Sequence, residues 1–195
     1  SINYGTLTVR GTGALPGYSS EIYAPWYDYR DDIKHIVIQD GVTSIGKNAL
    51  SMFTDTVESY SIGKDLTSIE NLDIKSTYYL KTITVSSDNE HYTVREGALY
   101  DKEMTELIMY PRKASDRTSL TIPEGVEIIR ESAVSNKDLV TVNLPSSLRI
   151  IEDKAFAWAS KLESLTLPEG LECIGYQSFA GTSNLKNLNI PQSVH

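Results

Sequence analysis

The sequence predicts a repeat solenoid, a right-handed β/α superhelix of about seven coils. Three observations carry this reading. The first is a recurring aliphatic residue, at Ile33, Val57, Leu80, Leu139, Leu162 and Leu185, with intervals of 24, 23, 59, 23 and 23. The second is a proline that follows it, at Pro123, Pro145, Pro168 and Pro191, with intervals of 22, 23 and 23. The third is an apolar–polar alternation just ahead of that position, seen in Ile36/Ile38, Tyr60/Ile62, Ile83/Val85, Leu120/Ile122, Val142/Leu144, Leu165/Leu167 and Leu188/Ile190. Alternation at period two marks a strand with one buried face. Proline then ends the strand, because it has no N–H to donate.

The elements follow in chain order. Residues 1–32 form an N-terminal capping segment that breaks the repeat: "YGTLTVRGTGALPGY" alternates through Leu7 and Val9 and then turns on glycines. A solenoid end exposes an open core that an atypical unit must cover. Tyr23, Trp26, Tyr27 and Tyr29 are candidates for that lid, and an exposed aromatic binding patch is the other reading. Residues 33–195 are the solenoid. Each unit reads L-x-x-L-x-L-P-x-x-V/L-x-x-I-x-x-x-A-F, with substitutions. After the strand comes a second apolar rung, Val42/Ile45, Leu66/Ile69, Val126/Ile129, Leu148/Ile151 and Leu171/Ile174. A short helical or turn segment then plugs the core with Ala49-Leu50, Ala133-Val134, Ala155-Phe156 or Ser178-Phe179, and repeat two departs with Asp73-Ile74. The long interval hides one further unit, "SLTIPEGVEIIRESAV", and an insertion at 86–114. Within the insertion, Ala98–Tyr100 and Leu107–Tyr110 read as two strands across the polar turn "DKEMTE". The last repeat is truncated, and the chain reads as an excised part of a longer protein.

These residues resemble a known family. "IPEGVEIIRESAV", "LPSSLRIIEDKAF" and "LPEGLECIGYQSF" resemble the BspA-like leucine-rich repeats of bacterial surface and secreted proteins, and the resemblance covers nearly the whole chain. It implies a leucine-rich repeat solenoid, an extracellular or cell-surface location, and adhesion to a host or neighbouring surface protein, extracellular-matrix proteins among them. The family carries no fixed binding motif to transfer onto particular residues. Function follows sites, not folds.

Composition narrows the classes. With 195 residues and 40% hydrophobic content the chain can bury a core. A net charge of −8 and no basic run argue against nucleic acid. No apolar run is long enough to span a bilayer. Cys173 is the single cysteine, which excludes a disulfide scaffold; its slot holds Ser44, Ser68, Ile128 and Ile150 elsewhere, so it reads as a small packing residue. No catalytic or nucleotide motif occurs, His35, His91 and His195 lack metal-pair spacing, and Glu124, Asp153 and Glu169 read as solvated turn charges. The expectation is therefore no enzyme, no cofactor and no metal.

The most informative pattern is the outward face of the strands: His35/Val37, Ser59/Ser61, Thr82/Thr84, Ser119/Thr121, Thr141/Asn143, Ser164/Thr166 and Asn187/Asn189. Stacked in register, they form two columns of short polar side chains on the concave sheet. Thr82, Thr84, Thr121, Thr141, Asn143, Ser164, Thr166, Asn187 and Asn189 are the candidate binding residues. Strand propensity alone accounts for the pattern too, since Thr suits an exposed strand. The readings are a protein-binding adhesion module, a structural spacer, or a carbohydrate-binding module; the last requires exposed aromatics such as Tyr78/Tyr79 or the N-terminal cluster.

Overall fold

The structure, a computed structural model, describes residues 1–195 apart from 20, 21, 51, 52, 54, 70–76, 115 and 116. Asp73-Ile74, where repeat two departs from the template, lie outside the described residues. Contacts divide the chain into two compact units, Ser1–Val94 and Arg95–His195.

The first unit holds β1 (Ile2–Asn3), β2 (Thr6–Val9), β3 (Gly13–Leu15), β4 (His35–Ile38), β5 (Val42–Ile45), β6 (Ser59–Ile62) and β7 (Thr82–Val85). The main sheet runs β1-β2-β4-β6-β7. After the antiparallel β1–β2 pair every pairing is parallel, with Thr6, His35, Ser59 and Thr82 in one register row. Parallel pairing of strands about one repeat apart is what a coil demands, because each turn returns the chain in the same direction. Leu7, Val9, Ile36, Ile38, Tyr60, Ile62 and Ile83 point inward and are buried. A second ladder pairs β3 with β5 in parallel. The capping segment thus builds a rung in both ladders. Behind them Ala49, Leu50 and Phe53 fill the core.

The expected lid is only half closed. Trp26 is half-buried and its Nε1 donates to the carbonyl of Ala49 at 2.9 Å. Tyr23 and Tyr29, by contrast, remain 55% and 52% exposed. Tyr23 stacks on Tyr27 at 4.0 Å between centroids, and the Arg30 guanidinium lies 4.3 Å from the same ring.

From β8 (Tyr92–Arg95) the chain enters the second unit, with β9 (Ala98–Asp101), β10 (Glu106–Met109), β11 (Ser119–Thr121), β12 (Ile128–Ile129), β13 (Thr141–Asn143), β14 (Ile150–Ile151) and β15 (Cys173–Ile174). The inserted hairpin is present: β9 and β10 pair antiparallel, and Asp101 clamps their turn by accepting from the Glu106 N–H at 2.6 Å and the Thr105 hydroxyl at 2.6 Å. Its second strand then pairs in parallel with β12, followed by β14 and β15, so the insertion supplies a rung of the inner ladder. The outer ladder pairs β11 with β13. Leu120, Val126, Ile129, Val142, Leu148, Ile151, Phe156, Leu162 and Leu171 form one buried cluster. Each such side chain contributes about 2 kcal/mol of hydrophobic stabilisation.

The solenoid reading holds, but its helical component does not. Among the described residues the sole helical element is a 3₁₀ turn at Tyr27–Tyr29. The plug segments are turns, pinned coil to coil by bonds such as Val134 N–H to Ala155 C=O at 2.7 Å and Phe156 N–H to Ser178 C=O at 2.8 Å. The reason lies one residue earlier. Asn48, Ser132, Lys154 and Gln177 stand just before Ala49, Ala133, Ala155 and Ser178, and all four have positive φ, from 53° to 61°. A left-handed residue interrupts a right-handed helix before its first turn can close.

Candidate binding surface

In the first unit the register delivers the expected columns. Residues facing solvent on β2, β4, β6 and β7 line up as Thr6, His35, Ser59, Thr82 and as Thr8, Val37, Ser61, Thr84. Thr6 and Thr8 escaped the sequence reading because they lie in the capping segment, outside the repeat template. His35 Nδ1 and Ser59 Oγ are 2.8 Å apart, which ties neighbouring strands on the outer side. A shallow groove of about 560 Å³ lies at the carboxyl ends of these strands, lined by Val37, Ser61 and Thr84 of one column and by Gln39, Asp40, Gly63 and Ser86 beyond it. Of the nine candidate residues only Thr82 and Thr84 belong to this unit, and Thr84 alone lines the groove.

The other seven are exposed or half-buried in the second unit. Ser119 pairs with Thr141 and Thr121 with Asn143, and the Asn143 amide donates to Thr121 Oγ1 at 3.1 Å. A single parallel bridge extends the row from Thr141 to Ser164. Thr166, Asn187 and Asn189 are exposed but lie outside named strands, so the column loses its backbone pairing there.

Charge flanks the first ladder in alternating sign. Glu58 accepts from the Lys81 ammonium at 2.7 Å and stands 4.0 Å from Lys34. The Lys81 hydrogen bond is the main reason the Glu58 carboxyl titrates below its ordinary value, against the opposing effect of desolvation. Of the turn acids read as solvated charges, Glu124 and Asp153 are clamps, whereas Glu169 is exposed and its side chain makes no hydrogen bond among the described residues. Asp153 accepts from the Tyr176 N–H at 2.7 Å, Asp40 from the Lys64 N–H at 2.9 Å, and Glu124 from both the N–H and the hydroxyl of Ser146 at 3.0 Å. The backbone bond from Ser146 is the largest of the three causes that lower the Glu124 pKa, ahead of the Ser146 hydroxyl and the Ser147 N–H, against the opposing effect of desolvation. Among the described residues no three His, Cys, Asp or Glu side chains come together as metal ligands would, and no helix is long and apolar enough to cross a membrane.

One expectation is corrected. Cys173 is exposed, not packed. It opens β15, the last strand of the inner ladder, and faces away from the core while Ile174 packs against it. Its counterparts Ile128 and Ile150 are half-buried and each is flanked by a following strand; among the described residues no strand pairs with the other side of β15. Of the aromatics named for sugar stacking, Tyr23, Tyr29, Tyr78 and Tyr79 are exposed, while Trp26 and Tyr27 are half-buried. Two exposed aromatics that the sequence reading missed, Trp158 and Tyr176, sit on turns of the second unit.

Comparison with known proteins gives a consistent picture. The model of the BspA type leucine rich repeat region matches residues 20–116 and 112–195, in 6 copies. A leucine-rich repeat protein from Eubacterium ventriosum superposes with a TM-score of 0.64 at 25% identity, covering 97% of this chain and 68% of that one. The pneumococcal vaccine antigen PcpA gives a TM-score of 0.74 at 27% identity, covering 84% of this chain and 46% of its own. A leucine rich cell surface protein from Faecalibacterium prausnitzii gives 0.57 at 25% identity, over 94% of this chain and 54% of that one. No curated protein matches the sequence.

Proposed function

Because the chain belongs to the BspA-type leucine-rich repeat family, we propose that it is a non-enzymatic protein-binding module of a bacterial cell-surface or secreted protein. The observation that carries this is the in-register polar face of β4, β6 and β7 with a groove at its edge. The Ser and Thr hydroxyls of β6 and β7, aligned by the ladder beside His35 of β4, offer hydrogen bonds at little ordering cost, which is how preorganised surfaces gain affinity. The partner is a host or neighbouring surface protein, extracellular-matrix proteins included. Location at the cell surface draws support from the similar structure described as a cell surface protein.

The face lacks the Trp, Tyr and Arg anchors that concentrate binding energy, so each contact is weak and gains strength through repetition along a longer chain. That same lack favours a second reading, a spacer that displays other domains. The two separate in a binding screen of the protein against immobilised fibronectin, fibrinogen and other matrix proteins at two salt concentrations. A saturable signal supports the binding module. Silence across the panel leaves the spacer.

A further inference from the structure

Lys113, Lys137 and Lys161 stand 24 residues apart and so form no basic run in the sequence. The coil brings them together on successive turns of the second unit. The fully buried Asn136 holds the first two turns against each other. Its amide donates to Pro111 C=O at 2.8 Å, and its oxygen accepts from the Asp138 N–H at 2.8 Å. One coil further on, the Lys161 ammonium donates to Asp138 Oδ1, also at 2.8 Å. The Asp138 carboxyl titrates below its ordinary value, chiefly through that hydrogen bond and against desolvation, with the charges of Lys161, Lys137 and Lys113 adding to it. Among the described residues the patch thus sets three ammonium groups against one carboxylate.

Elsewhere neighbouring coils interleave the two signs. Glu58 sits between Lys34 and Lys81, and Arg130 sits between Glu106 and Glu152 at 2.9 and 3.0 Å. Here that order breaks. Asp138 is taken by Lys161, and among the described residues neither Lys113 nor Lys137 has a carboxylate within ion-pair distance. Lys137 instead adjoins Lys113, close enough to donate to its nitrogen, and this contact and its charge hold the Lys113 ammonium below its ordinary pKa. Ammonium groups set side by side repel each other, and an anion between them removes that repulsion. The fold does not need the pair, because Asn136 and Pro111 make the bond that joins the two turns.

The donor chemistry selects the anion. Lysine is a compact point charge without the planar fork that lets arginine grip a flat carboxylate, and it suits a tetrahedral oxyanion. The uncompensated charge is that of two lysines, which one dianion neutralises and one carboxylate does not. A phosphate monoester carries about two charges at neutral pH and three acceptor oxygens, enough for both ammonium groups. We propose that Lys113 and Lys137 bind a dianionic phosphate, free or as the monoester of a larger ligand, with the Lys161–Asp138 pair flanking it. This site goes beyond the protein-binding reading of the strand face, and its test does not depend on that reading.

The test follows the lysine Hε–Cε signals of ¹³C-labelled protein near neutral pH and at constant low ionic strength, assigned through Lys113→Met and Lys137→Met. The probes are inorganic phosphate and N-acetyl-phosphoserine amide, with sodium acetate as the control. Phosphate should shift the Lys113 and Lys137 signals saturably at millimolar concentration and raise the Lys113 pKa. Acetate at equal ionic strength should do neither. Lys137→Met should weaken phosphate binding by about fivefold, the scale of one exposed ion pair, without lowering Tm. Tighter binding of the phosphoserine probe assigns the site to an ester-borne phosphate, and tighter binding of inorganic phosphate assigns it to the free ion. The proposal is overturned if neither phosphate moves these signals, if acetate moves them equally, or if binding survives Lys137→Met unchanged.

Discussion

The amide of Asn89 donates to the carbonyl of Gly63 in the preceding coil, 2.9 Å away. The same nitrogen donates to Leu66 C=O at 3.1 Å, and its oxygen accepts from the N–H groups of His91 and Tyr92, both at 2.8 Å. The residue is fully buried, at 0% exposure. Asn89→Ala leaves buried donors and acceptors without partners and should cost about 3 kcal/mol. Urea unfolding measures this, and a loss smaller than about 1 kcal/mol would contradict the assigned role.

The left-handed residues before the core plugs invite the opposite change. Ser132 has φ 57°, and the equivalent position in another coil is Asn48, at φ 61°. Asparagine tolerates this region better than serine. Ser132→Asn should therefore raise stability by about 0.5 kcal/mol, read as a shift in urea midpoint at constant slope.

Gly63 and Gly97 separate crowding from conformational strain. A Cβ on Gly63 would stand 2.8 Å from the backbone N of Asp40 and the backbone C of Gln39, atoms that cannot swing aside. Gly97 has φ 83° but nothing within 4 Å of a Cβ. Gly63→Ala should cost about 2 kcal/mol from overpacking, and Gly97→Ala about 1 kcal/mol from its backbone alone. Equal losses in parallel thermal melts would argue against close coil-to-coil contact at Gly63.

Acid should loosen the first unit through Glu58. The folded state lowers this carboxyl below its ordinary 4.5, chiefly through the Lys81 hydrogen bond. A depressed carboxylate stabilises the fold above its unfolded pKa, and that contribution disappears as pH falls through the folded value. Stability should thus decline below about pH 4.5, and Glu58→Gln should flatten the decline. Because Glu58 and Lys81 are partly exposed, high salt should reduce the difference.

Much of the fold was legible because strand burial follows a two-residue period. Ile36/Ile38, Tyr60/Ile62, Leu120/Ile122 and Leu165/Leu167 are all buried as the alternation requires. In the last repeat the rule fails, where Leu188 is half-buried and Ile190 is 54% exposed. The turn geometry was not legible. The plugs read as helix-compatible, but Lys154 and Gln177 have positive φ, and cross-coil backbone bonds such as Lys154 N–H to Tyr176 C=O hold these turns in a way that composition does not record. Asn89 and Asn136 look like loop polars in sequence and are fully buried clamps. Trp158 went unnoticed because its repeat position had no fixed residue type to compare.

In the proposed function, partners bind the polar face of the first strand ladder. The most direct test is the affinity, for whichever matrix protein the screen identifies, of a variant carrying Ser61→Lys and Thr84→Lys. Both residues line the groove, and Thr84 is exposed while Ser61 is half-buried on the outer side, so the variant should fold normally. The account predicts binding weaker by about tenfold or more with Tm unchanged. Unaltered affinity in the folded variant would place the partner elsewhere and contradict it.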